Sequence, residues 1–173
     1  MRADNTQILY RSMKPGEESA VVDHVLNVFD EFVAPRYSDE GIAEFRRFVT
    51  TDAMSGRLKE GNLVIVAESG RRIIGVIEMR DNSHIALLFV EKSFQRKGIA
   101  KELLQRSIEI CKQRKPDLQK ITVNSSPNAF TAYQKIGFKG VEDEKVVNGI
   151  RFTPMALIVN KNCGSQQIIS QNH

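Results

Sequence analysis

The stretch Ile85-Ala86-Leu87-Leu88-Phe89-Val90-Glu91-Lys92-Ser93-Phe94-Gln95-Arg96-Lys97-Gly98-Ile99-Ala100 passes from an unbroken apolar run, through one glycine, into a helical pattern. An apolar run of this length bounded by polar residues reads as a buried strand. The spacing Ile99, Leu103, Leu104, Ile108, Cys111 reads as one face of a helix. Between them, Gly98 lets the backbone pass close to a bulky anion. The first N–H groups of a helix have no partner inside it and carry about half a positive charge. Arg96 and Lys97 add mobile cationic donors at the same place. Read alone, the segment suits an ordinary strand-to-helix turn with a solvated cation pair as well as it suits a diphosphate cradle.

Working outward, Pro116 stops the helix and Ile121-Thr122-Val123 is a short β-rich run. Ser126-Pro127 opens another helix, proline being comfortable at a first helical position, and Gly137 closes it. Strands are expected near 138–141 and 152–159 around a turn at Asn148-Gly149, with Pro154 marking an edge or a bulge. Upstream, Leu63–Ala67, Ile73–Met79 and His84–Val90 read as three strands joined by turns at Ser69-Gly70 and Asp81-Asn82. An edge strand is expected at 6–13. A helix follows over 17–32, broken by Pro35, and a second starts after Ser38, with Met54 and Leu58 as a short extension. The order is β-α-α-β-β-β-α-β-α-β-β. The fold class is α/β in the α+β sense, with a mixed, mostly antiparallel sheet of about seven strands and four helices. A single domain over 1–160 and a polar tail over 161–173 are expected.

The formal charge of +4 favours an anionic ligand, but no dense Lys/Arg stripe interleaved with aromatics points to nucleic acid. The two cysteines, Cys111 and Cys163, form no CxxC pair, and the three histidines have no companion at metal-ligand spacing. No metal is therefore expected. No apolar stretch approaches 18 residues and the N-terminus lacks an apolar targeting core, so a cytoplasmic protein without a membrane partner is expected.

Two motifs in this order resemble the GNAT superfamily of acyl-CoA-dependent N-acyltransferases. The segment Leu88 to Ala100 looks like that family's strand and diphosphate loop, with the core pattern Gln/Arg-x-x-Gly-x-Gly/Ala at Gln95, Gly98 and Ala100. The segment Val123 to Phe138 resembles its later strand and helix, closing on Tyr133-x-x-x-Gly137-Phe138. The resemblance covers roughly residues 6–159. Lys92 stands where many members carry proline, and Ser126 where many carry asparagine.

The resemblance implies acetyl-CoA as co-substrate and attack of a primary amine on its thioester. It implies that the fourth and fifth strands splay apart, with the pantetheine arm between them beside Leu88, Phe89 and Val90. The loop Gln95, Arg96, Lys97, Gly98, Ile99 and Ala100 would hold the diphosphate, while Asn124, Ser126 and Asn128 flank the cofactor. Tyr133 takes the position of the general acid that protonates the leaving sulfur. For the general base, His84 and Glu78 are the candidate side chains, beside water held by backbone carbonyls. The acceptor, a small-molecule or peptide amine, would meet the first two helices, where Asp39, Glu40 and Glu44 either attract a cation or complement the helix dipole. Phe138, Ile150 and Phe152 suit a homodimer contact or sheet core equally. The alternative reading is a non-catalytic acyl-CoA-binding or sensing module, against which Tyr133 speaks. A phosphotransfer domain would require Lys-Ser/Thr after the glycine, and Gly98-Ile99-Ala100 lacks it.

Overall fold

A computed structural model describes residues 7–160. The tail over 161–173, Cys163, His173 and the first residue of the strand expected at 6–13 lie outside them. The elements run β1 (Leu9–Ser12), α1 (Glu18–Phe32), α2 (Asp39–Phe48), α3 (Thr51–Lys59), β2 (Leu63–Ser69), β3 (Arg72–Arg80) and β4 (His84–Val90). They continue with α4 (Ile99–Arg114), β5 (Lys120–Ser125), α5 (Phe130–Ile136), β6 (Lys139–Gly140), β7 (Lys145–Val147) and β8 (Ile150–Ile158). The eight strands form one sheet in the order β1-β2-β3-β4-β5-β8-β6, with β7 also on β8. Among the described residues only β4 and β5 pair in parallel.

Several expectations shift in detail. Met54 and Leu58 belong to a separate helix, α3, which Thr50 caps by accepting from the Ala53 N–H at 3.1 Å. Ser38 caps α2 in the same way, accepting from Gly41 N–H at 3.2 Å. Pro127 does not start α5; it lies in a turn ahead of that helix, whose N-cap is Ala129. β7 was not expected, because three exposed residues carry too little alternation to show a strand. Pro154 sits inside the sheet, opposite Asn124 of β5. Its carbonyl accepts from the Val141 N–H on the other side, so its nitrogen faces the break between the β7 and β6 pairings, where no N–H is needed.

Both faces of the central strands are covered, which is why Leu63-Val64-Ile65-Val66-Ala67 is apolar without alternation. One face packs Ile65, Ile77, Ile85 and Val123 against Ile99, Leu103, Leu104 and Cys111 of α4 and Tyr133 of α5. The other packs Val64, Val66, Val76 and Leu87 against Val21, Val22 and Val25 of α1 and Met54 of α3. Phe138 is 2 % exposed and belongs to the first core, so it offers no dimer surface, while Ile150 and Phe152 pair with β7.

The turn between β7 and β8 rests against the start of α2. A Cβ built on Gly41 would collide with the Gly149 carbonyl, and one on Gly149 would collide with the Gly41 amide. At Gly41 every obstacle is backbone, with no flexible side chain to yield. Gly41→Ala is expected to destabilise the protein by about 2 kcal/mol or more, since overpacking against backbone forces the two elements apart. A urea melt with an unchanged midpoint would show that α2 and the hairpin do not depend on this contact.

Candidate active site

The β4–β5 pairing consists of His84↔Thr122 and Ile85↔Val123 alone. Beyond Ile85 the strands part: β5 continues against β8, while β4 continues against β3 through Val90. The register shift of β4 on β3, which leaves Ala86 unpaired between Ile85 and Leu87, falls where the parting begins. The antiparallel register sets Val76 opposite Phe89 and Gly75 opposite Val90, and the Glu91 N–H donates to the Ile74 carbonyl at 2.9 Å. Backbone groups alternate along a strand, so those of Phe89 point back to β3 and those of Leu88 and Val90 point into the gap. Of the three residues expected beside an extended ligand, Phe89 therefore turns its backbone away from the gap, and its side chain packs against the core on the α1 face. Its carbonyl also accepts from His24 Nε2 of α1 at 3.0 Å, a bond the sequence did not suggest.

At the end of β4 the chain turns into α4. Gln95 Nε2 donates to the Val90 carbonyl at 2.9 Å and ties the loop to the strand. Arg96 (φ 62°) and Gly98 (φ 79°, ψ 8°) are both left-handed, and Gly98 is the N-cap of α4. Among the described residues, the N–H groups of Arg96, Lys97, Gly98, Ile99, Ala100 and Lys101 donate to no protein acceptor. Consecutive free donors at a helix start, with left-handed residues among them, are chemically suited to an anion. A Cβ on Gly98 would meet no protein atom within 4 Å, so any side chain there would project into free space over the loop. Lys97 leans over the Phe94 ring, its Nζ 5.3 Å from the centroid.

Tyr133 lies on α5, 8 % exposed, with its ring edge-on to Phe138 at 5.3 Å. Its hydroxyl has no hydrogen-bond partner among the described residues, and burial pushes its pKa well above the ordinary phenol value. Asn124 is exposed on β5, and Asn128 is exposed in the turn before α5. The Ser125 hydroxyl, buried, donates to the Ser126 carbonyl at 2.9 Å and fixes the chain between them.

The two candidate bases fare differently. His84 opens β4 at its paired end, on the face shared with Thr122, and its Nδ1 lies 2.8 Å from the Thr122 hydroxyl. Burial, and then the nearby Arg80, lower its pKa, so the ring is neutral at pH 7. Glu78 is fully buried. Its carboxylate takes two bonds from Arg57, at 2.6 and 3.0 Å, and one from Asn62 at 2.8 Å. Arg57 also donates to the Phe48 carbonyl at 2.7 Å and stacks on the Phe48 ring at 3.9 Å. Glu78 is thus half of a packed ion pair joining α3 to β3 and is not available as a base. Nothing in the spacing of residues 57 and 78 signals this pairing, which depends on how α3 lands on the sheet. Cys111 is buried in the core, as its place on the apolar face of α4 suggested. No group of metal-ligating side chains occurs among the described residues, and no helix there is long and apolar enough to cross a membrane.

Residues 33–159 match the family model described as an acetyltransferase (GNAT) domain, and the chain belongs to that family. Among solved structures, it superposes on a GCN5-related N-acetyltransferase from Rhodopseudomonas palustris with TM-score 0.73 at 19% identity, covering 92% of this chain and 99% of that one. The PaiA N-acetyltransferase from Thermoplasma acidophilum, solved in complex with coenzyme A, gives 0.72 at 19% identity, covering 88% and 99%. An aminoglycoside 6'-N-acetyltransferase, also complexed with coenzyme A, gives 0.60 at 12%, covering 87% and 96%. A comparison with curated proteins finds no match.

Removing one side of the Glu78 pair leaves a buried charge uncompensated. Arg57→Ala is expected to cost about 3–5 kcal/mol of folding stability, read from chemical denaturation. A loss below about 1 kcal/mol, the range of an exposed pair, would mean that Glu78 is not held as described.

Proposed function

We propose that the protein is an acetyl-CoA-dependent N-acetyltransferase that acts on a primary amine by direct attack. The observation that carries this reading is the row of six unpartnered N–H groups from Arg96 to Lys101, set beside the open half of the β4–β5 gap. The row has the donors and the shape for a diphosphate, and the gap offers the Leu88 and Val90 backbone to an extended amide-bearing arm. Meeting the arm at Val90 requires Gln95 to share or release that carbonyl.

Bound acetyl-CoA supplies an acyl thioester already activated toward nucleophiles. The residues around it divide the remaining work. His84, neutral and with one ring nitrogen steadied by Thr122, takes the proton released by the attacking amine, directly or through water. Tyr133 holds a phenol that stays protonated because its anion would be desolvated, and it delivers that proton to the departing sulfur. One C–N bond forms and one C–S bond breaks; His84 gains a proton, Tyr133 gives one, and solvent restores both. Asn124, Ser126 and Asn128 lie along the cofactor side between β5 and α5.

Calorimetric titration with CoA, acetyl-CoA and ATP tests the cradle. Micromolar binding of both CoA species with weak ATP binding is expected, and Gly98→Val should weaken CoA at least about tenfold by filling the space over the loop. An unaltered Kd would remove the loop from the binding site. Tyr133→Phe should lower kcat by roughly 10²-fold with little change in CoA affinity, the signature of a lost proton donor. Unchanged turnover would take Tyr133 out of the mechanism.

A further inference from the structure

We infer that His24 is a positioning residue for the cofactor: from α1 it holds the peptide between Phe89 and Val90 so that the Val90 N–H is aimed into the β4–β5 gap. The inference rests on the acyl-transfer reading for the identity of the ligand in the gap, and adds a residue that acts on it through another.

The buried residues of α1 are Val21, Val22, Val25, Val28, Phe29 and one polar side chain, His24. Packing alone does not call for a histidine there. A buried polar group costs stability unless it is bonded, and even a bonded one contributes modestly. What the ring adds is a donor at one place, with Nε2 lying 3.0 Å from the Phe89 carbonyl oxygen. A carbonyl can only accept, so the bond places the ring proton on Nε2. Burial lowers the pKa of the ring, and it is neutral at pH 7.

The position of that carbonyl gives the bond its consequence. A peptide group is planar, with C=O and N–H on opposite sides, so the Phe89 carbonyl and the Val90 N–H are two ends of one rigid unit. The Phe89 end points toward β3, where Val76 is its partner in the register, and the Val90 end therefore points into the gap. The β3 ladder uses one lone pair of the carbonyl, and His24 reaches the other from the α1 face. Two anchors from different directions keep the unit from tilting about the strand axis. A second donor on the carbonyl also polarises the amide, which strengthens its N–H as a donor.

The next peptide is held differently. The Val90 carbonyl accepts from Gln95 Nε2 at 2.9 Å, and the Glu91 N–H at its other end donates to the Ile74 carbonyl at 2.9 Å. Gln95 bonds the gap side of its peptide and competes with a ligand pairing there. His24 bonds the far side, so a ligand in the gap leaves its bond intact. A hold that is the same before and after binding is what preorganises a binding edge. Further along, Glu91 pairs with Arg72 of β3, and Lys92 pairs with Glu31 of α1 at 3.2 Å, so the strand end is tied to the same two neighbours.

The test is calorimetric titration of wild type, His24→Leu and His24→Gln with CoA and with 3'-phosphoadenosine diphosphate, which keeps the anionic end of CoA and lacks its arm. His24→Leu is expected to raise the Kd for CoA about tenfold and to leave that of the nucleotide unchanged, because the nucleotide does not reach Val90. His24→Gln, whose amide nitrogen falls near the place of Nε2, is expected to restore CoA affinity to within about threefold of wild type. Should His24→Leu fold poorly, His24→Asn, polar but too short to reach the carbonyl, is expected to behave as the leucine variant does. In the unmutated protein, ring-nitrogen NMR is expected to show the neutral Nε2–H tautomer. An unchanged CoA affinity, equal weakening of CoA and nucleotide, no recovery with glutamine, or an Nδ1–H tautomer overturns the role. The expected pattern in a protein that acylates no amine upholds the role of His24 and overturns the acyl-transfer reading alone. Absence of CoA binding by the wild type overturns both.

Discussion

Everything specific about this molecule depends on a shortfall in backbone hydrogen bonding. A central strand of a sheet normally satisfies both of its edges, because a buried unpaired amide or carbonyl costs as much as a lost hydrogen bond. β4 satisfies its β3 edge through Val90 but its β5 edge only at His84 and Ile85. The remaining groups at Leu88 and Val90 require a partner that the sheet does not supply. Gln95 meets part of that requirement by bonding to Val90. The rest of the fold can be read as the frame that holds the two strands apart: α4 and α5 below, α1 and α2 above, and β8 drawing β5 away from β4.

The cradle is the second half of the same device. Its six free N–H groups follow the strand whose carbonyls and amides face the gap, so one continuous length of backbone, Leu88 to Lys101, offers an extended segment and then a curved one. A ligand with a peptide-like arm and an anionic end matches that sequence of surfaces. What this stretch offers is mostly backbone, and side-chain identity matters most where conformation is special, at Gly98.

Much of this was legible in the chain. The strand, glycine turn and helix of residues 85–111 show their periods openly, and the two turns with left-handed residues at Gly70-Arg71 and Asp81-Asn82 fall where small and polar residues interrupt apolar runs. The parting of β4 and β5 came from family resemblance, because nothing in the local sequence says whether neighbouring strands stay paired. Other features were hidden for physical reasons. Glu78 reads as a free carboxylate until Arg57, twenty-one residues earlier, is brought onto it by the packing of α3. Phe45 shows only as a member of a helical stripe; that it faces Phe89 depends on the crossing of α2 over the sheet. Pro127 satisfies the rule for a helix start but serves a turn, since the chain first has to leave β5.

The contact between Gly41 and Gly149 divides two properties that usually change together. The spacing between α2 and the β7–β8 hairpin is set by two stretches of main chain that already touch. The surface beside that contact is set by side chains such as Phe45, which can be exchanged without moving those two stretches apart. Change along this helix is thereby channelled: side chains can vary, while the distance from helix to hairpin is inherited.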